Sequence, residues 1–148
     1  MQPESHAVDQ AKGWLRRANS NLLRARQPVP DGVLFEDLCF DAQQCCEKSL
    51  KALLICKGIN FRYVHDLAEL ITNLLGAGFE VPVFIRRATI LTEYAVEARY
   101  PGLSEPVTEE EYDESVSIAQ SVYEWVSNQI EQQDVAFLDD RDQSAEDR

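Results

Sequence analysis

The chain has 148 residues, of which 45% are apolar and 27% charged, with a formal net charge of −12. Those proportions describe one globular domain with a real core and exclude a chain too polar to fold. An acidic field of this size repels phosphate at long range, which excludes indiscriminate nucleic-acid binding but leaves room for a local basic groove.

The first seven residues carry no pattern and are expected to fray. From Val8 the apolar positions Val8, Ala11, Leu15, Ala18, Leu22 and Ala25 recur in steps of three and four, the seam of a helix. Lys12, Arg16, Arg17, Arg24 and Arg26 make that helix basic, and Pro28, Pro30, Asp31 and Gly32 end it. A second helix is predicted from about Leu34 to Lys57. Its face is Phe35, Leu38, Ala42, Cys45 or Cys46, Ser49, Leu53 and Cys56, widened by Phe40, Leu50 and Leu54. An apolar surface broader than one stripe marks a central helix with neighbours on two sides. Gly58 stands where a C-cap glycine belongs.

His65 and Asp66 open a third helix through Leu67, Leu70, Ile71, Leu74 and Leu75, and Gly76 and Gly78 stop it. Pro82 suits the first turn of a fourth helix reaching about Arg99, with the seam Phe84, Ala88, Leu91, Ala95 and Ala98. Tyr100, Pro101 and Gly102 break it. Thr108 with Glu111 three residues on is a capping box, and the fifth helix carries Tyr112, Val116, Ala119, Tyr123, Val126 and Ile130. Its start, Glu109, Glu110, Glu111, Asp113 and Glu114, is acidic, which the helix dipole favours. After Gln133 the periodicity fades into an acidic stretch, so 133–148 is expected to be a disordered tail and 8–132 the folded domain. The fold class that follows is all-α: an up-and-down antiparallel four-helix bundle with an additional short helix.

No basic segment followed by an apolar one marks a secretory signal, and runs such as 52–56 are too short to span a bilayer. The chain reads as cytoplasmic, with no membrane partner. Cys39, Cys45, Cys46 and Cys56 all fall in the second helix without CxxC spacing, and read as small core residues in a reducing compartment. With His6 and His65 the only histidines, and no phosphate loop or dinucleotide fingerprint, neither a metal site nor a cofactor is expected.

Two places have chemistry. His65, at a helix start, suits a switchable base or a phosphate contact, or a side chain packed on the second helix while Asp66 caps the third. Arg99, with Tyr100 beside it, suits either the negative end of a helix dipole or a phosphate contact with a stacking ring. Arg62 and Tyr63, and Arg86 and Arg87, are further candidates for that surface.

The run Phe40-Asp41-Ala42-Gln43-Gln44-Cys45-Cys46-Glu47-Lys48-Ser49-Leu50-Lys51-Ala52-Leu53-Leu54 resembles the second helix of the HEPN family (higher eukaryotes and prokaryotes nucleotide-binding domain). Gly58, then His65-Asp66-Leu67, then Ala98-Arg99-Tyr100-Pro101-Gly102 follow in that family's order, as in its subgroup with an Arg-Tyr-Pro motif. The resemblance covers about residues 8–132. It implies the same bundle, commonly dimeric, and a minimal nucleotidyltransferase as partner in a toxin–antitoxin pair. It also implies Arg99, Tyr100, His65, Arg62 and Lys51 as candidates for contact with nucleotide or RNA. Other members of the family are metal-independent ribonucleases with an arginine, a polar residue, and a histidine four to six positions after the arginine. Here Arg99 matches, but Tyr100 replaces the polar residue, and Leu103, Ser104 and Glu105 stand where the histidine belongs. The incomplete motif assigns no catalytic residue and favours a binding protein over an enzyme. A ribonuclease toxin with a relocated base, or a purely structural dimerisation module, are the alternatives.

Overall fold

The computed structural model describes residues 3–95 and 106–146. Among the described residues there are helices and no strands. They are α1 (Pro3–Arg26), α2 (Phe35–Cys56), α3 (Leu67–Gly76), α4 (Val83–Arg86) with a 3-10 continuation (Arg87–Ala95), and α5 (Glu109–Glu146). α1, α2, α4 with its continuation, and α5 form the up-and-down bundle, and α3 is the short additional helix.

Directions follow from bonds that tie the helices together. The Tyr112 hydroxyl donates to the Ala25 carbonyl, and Lys12 pairs with Asp134 at 2.7 Å, so α1 and α5 run antiparallel. Glu36 accepts from the Val107 N–H at 3.1 Å, and Gln133 donates to the Cys56 carbonyl at 2.9 Å. α2 and α5 therefore lie side by side in one direction.

The α1 seam packs as its spacing requires. Val8, Ala11, Ala18, Leu22 and Ala25 are buried, with Leu15 half-buried at the edge. The helix begins earlier than the pattern, at Pro3. Proline suits a first turn, where its missing N–H has no partner to lose. α2 is apolar on several sides because it packs against α1, α3, α5 and the 3-10 stretch. Leu50 and Leu54 are fully buried, each contributing about 1.5–3 kcal/mol. All four cysteines are buried, and none forms a disulfide.

α2 and α3 stop in the same way. The Gly58 N–H bonds to Ile55 and the Ile59 N–H to Leu54, while Gly78 and Phe79 bond to Leu75 and Leu74. Both glycines sit at positive φ, +69° and +92°, the left-handed turn this termination needs.

The fourth helix departs from its expected register. After one α-helical turn the chain tightens to a 3-10 helix, whose period is three residues rather than 3.6. The buried positions are accordingly Ile85, Ala88, Leu91 and Tyr94, each three apart. Phe84, expected in the seam, is 53% exposed, and Pro82 is the N-cap rather than a residue of the first turn. Thr92 ties this stretch to α3 by accepting the Leu67 N–H at 3.2 Å.

The capping box at the start of α5 is reciprocal. Glu111 N–H reaches the Thr108 hydroxyl at 3.1 Å, and the Glu111 carboxylate accepts the Thr108 N–H at 3.2 Å. At its other end α5 does not give way after Gln133 but continues to Glu146. Gln133 on α2 and Asp134 on α1 hold the helix where periodicity alone predicted its end.

Candidate functional site

Polar side chains interrupt the apolar surface of α2 at four-residue intervals. Gln43, Glu47 and Lys51 are all buried, the last two with side chains 5% and 6% exposed. A buried charge requires partners, and this one has them. One Glu47 oxygen accepts from Gln43 at 3.2 Å and lies 2.8 Å from His65 Nδ1; the other pairs with Lys51 at 3.0 Å. Burial acts to raise the Glu47 carboxyl, but bonds from His65, Lys51 and Gln43 outweigh it and hold it below the usual carboxylate value.

His65 lies in the connection before α3, with Asp66 as the N-cap accepting the Ala68 N–H at 3.0 Å. Gln43 donates to the His65 carbonyl at 3.1 Å, so backbone and ring are both fixed to α2. The imidazole is nonetheless 68% exposed. With Nδ1 held by Glu47, Nε2 is left for an outside partner, since no described residue bonds it. A carboxylate that fixes one ring nitrogen orients the other for base or phosphate chemistry. Of the two readings of His65, the structure shows the side chain tied to the second helix with Asp66 capping the third, and it leaves the far edge of the ring accessible.

Of the other candidates, Lys51 joins His65 on the same carboxylate and also lies 5.8 Å from the centre of the Tyr63 ring. Arg62 does not join them. It is an exposed side chain on α3's Glu69, its Nε and Nη2 both 2.7 Å from one carboxylate oxygen. Arg86 is exposed beside the α2–α5 groove, and Arg87 pairs with Glu114 at 2.7 Å. Arg99 and Tyr100 lie outside the described residues, as do Pro101, Leu103, Ser104 and Glu105. Among the described residues no three His, Cys, Asp or Glu side chains gather as metal ligands, and no helix is long and apolar enough to cross a membrane.

Glu47 was not among the sequence candidates, although it holds the cluster together. Its signal was present: three polar residues four apart on a helix otherwise apolar on two sides. A second buried network, also missed, joins α1 to α2. Asn21 donates to Asp41 at 2.9 Å and accepts from Lys48 at 2.8 Å, and Arg24 reaches Asp41 at 3.4 Å.

Comparison with known proteins agrees with the all-helical fold. A family profile described as the HEPN domain matches residues 11–130, most of the chain. The chain belongs to the HEPN domain family. The HEPN match spans the bundle from α1 through most of α5, including Glu47, Lys51 and His65. The crystal structure of TT1696 from Thermus thermophilus is 29% identical, covering 80% of this chain and 97% of that one, with a TM-score of 0.65. The crystal structure of ST0689, an archaeal HEPN homologue, is also 29% identical, covering 88% and 99%, with a TM-score of 0.54. No curated protein matches the chain.

Proposed function

We propose that this HEPN-type domain is a binding protein that takes a nucleotide or RNA phosphate at His65. In this reading it acts as a homodimer and pairs with a minimal nucleotidyltransferase-like protein in a toxin–antitoxin-like arrangement. The observation that carries the phosphate reading is the exposed His65 ring fixed through Nδ1 to a buried, multiply bonded Glu47. Lys51 positions that carboxylate rather than reaching ligand itself, since its ammonium is buried on Glu47. The homodimer and the nucleotidyltransferase-like partner are what the resemblance to the family implies, and the basic α1 and the acidic start of α5 offer charged docking surfaces for them.

Titration of the full chain with adenosine triphosphate and with single-stranded RNA, followed by tryptophan fluorescence, tests the phosphate reading. Binding should weaken about tenfold in His65→Ala, the loss of one charge-assisted contact. No binding at millimolar ligand would leave only a structural dimerisation module. Affinity purification from the native cell tests the partner, and consistent recovery of this chain alone would contradict it.

A second reading, a metal-independent ribonuclease with Arg99 as phosphate clamp, is favoured by one observation. Glu47 fixes the tautomer of His65 as a general base requires, and such a base contributes typically about 10²–10⁴-fold. Expression would then arrest growth, and Arg99→Ala or His65→Ala would relieve the arrest. A harmless wild type with intact cellular RNA rejects it.

A further inference from the structure

Beside the His65 cluster, α1 and the connection after α2 enclose a cleft of about 580 Å³. Arg16 and Arg17 of α1 line one wall with Trp14, and Phe61 and Tyr63 line the other. In a chain of net charge −12, two adjacent arginines in one cleft are a local reversal of the field. Among the described residues neither is in a salt bridge. Arg17 lies 5.6 Å over the Trp14 ring, a stacking that leaves its edge donors available. Tyr63 is 84% exposed, its ring 5.7 Å from Phe61. An aromatic side chain this exposed gives up its own burial, which suits a surface on which another planar group lies.

Gly13 adds an independent observation. It stands inside α1 and lines the cleft, where glycine costs a helix about 0.5–1 kcal/mol relative to alanine. Yet a Cβ added there would meet nothing within 4 Å beyond its chain neighbours and the local backbone of its own helix. Packing within the chain does not require the glycine, so its effect is to keep the wall of the cleft open.

We infer that this cleft is a second recognition site for one nucleotide unit, its base stacked on Tyr63 and its phosphate held by Arg16 and Arg17. Guanidinium groups match phosphate geometry, and aromatic faces accept any base, so recognition there is tolerant of sequence. The same chemistry is offered by a free mononucleotide and by a segment of single-stranded RNA. Lys51, 5.8 Å from the Tyr63 ring centre and paired with Glu47, sets the cleft next to the His65 cluster. The site stands independently of the phosphate contact at His65, and either can hold without the other.

The test uses the full chain, a short fluorescein-labelled oligouridylate read by anisotropy, and uridine and adenosine monophosphates read by Trp14 fluorescence. Tyr63→Ala should weaken binding about 5- to 150-fold, the range for one lost stack, while Tyr63→Phe keeps most of it. The Arg16→Ala/Arg17→Ala variant should weaken binding and reduce the log–log salt slope for the oligonucleotide by roughly 0.7 per arginine. Gly13→Leu should block the cleft without unfolding α1. These substitutions fall on exposed or open positions, so folding is preserved and circular dichroism confirms it. Equal effects on monophosphates and oligonucleotide support a free nucleotide as ligand; effects on the oligonucleotide alone support an RNA strand. If His65→Ala weakens binding while all cleft variants bind as wild type, the cleft proposal fails and the His65 reading survives. The reverse pattern retains the cleft and removes His65. Absence of binding by every probe overturns both.

Discussion

Replacing Lys51 by methionine removes one arm of the buried carboxylate network while keeping the length and apolar stem of the side chain. Glu47 would then be a carboxylate 5% exposed with only His65 and Gln43 as partners. Breaking a buried ion pair from one side costs about 3–5 kcal/mol, because the remaining charge loses its compensation. The two surviving partners place Lys51→Met at the lower end, about 3 kcal/mol, or about 6–12 °C in Tm for a chain of this size. Adding Glu47→Leu should recover most of that loss. Both charges are then gone, and Gln43 still donates to the His65 carbonyl. Urea unfolding followed by circular dichroism at neutral pH measures wild type and both variants. The pH profile is a second check. Glu47 is held below its ordinary value of 4.5 in the folded state, so its stabilisation is full above that pH and is lost as pH falls through the lower, folded value. Wild type should therefore lose stability below about pH 4.5 more steeply than Glu47→Gln. A Lys51→Met cost under 1 kcal/mol, or a double variant worse than the single one, would refute the account of the pair.

Thr108→Ala removes one half of the reciprocal cap of α5 and should cost about 1 kcal/mol, measured by thermal unfolding. Gly58→Ala places a Cβ at φ +69°, where the left-handed backbone is strained by about 1–2 kcal/mol although the surrounding space is open, so Tm should fall with no change in helical content. Burial pushes the Cys45 thiol up to about 12 and Cys46 well above its ordinary value. Ellman's reagent at pH 8 should therefore leave both unlabelled in the native protein and label them at once in denaturant; rapid native labelling would show that α2 opens.

Periodic burial made most of the bundle legible before folding was considered. The α1 seam from Val8 to Ala25 and the cap formed by Thr108 and Glu111 are local patterns, decided within a few residues of sequence. The fourth helix was misread for a physical reason: Ala88 and Leu91 belong equally to a 3.6-residue seam and to a three-residue one. Only the burial of Ile85 and Tyr94 separates the two. The site was less legible because its bonds span the chain. Glu47 receives His65 from eighteen positions away, and Arg16 and Arg17 face Phe61 and Tyr63 only once α1 has packed against the end of α2. From sequence, the arginines were part of a basic helix and the aromatics part of a connection.

The polar ridge on α2 has a consequence for how the bundle finds its alignment. A cylinder coated with oily groups on nearly every side has no intrinsic reason to prefer one rotation about its axis. Asp41, Gln43 and Glu47 supply that reason, because only one angle brings Asn21, the His65 carbonyl and the His65 ring into place together. These groups act as a key cut into the middle of the molecule. Drift at any one of them is tolerated only when its counterpart on α1 or the connection drifts with it.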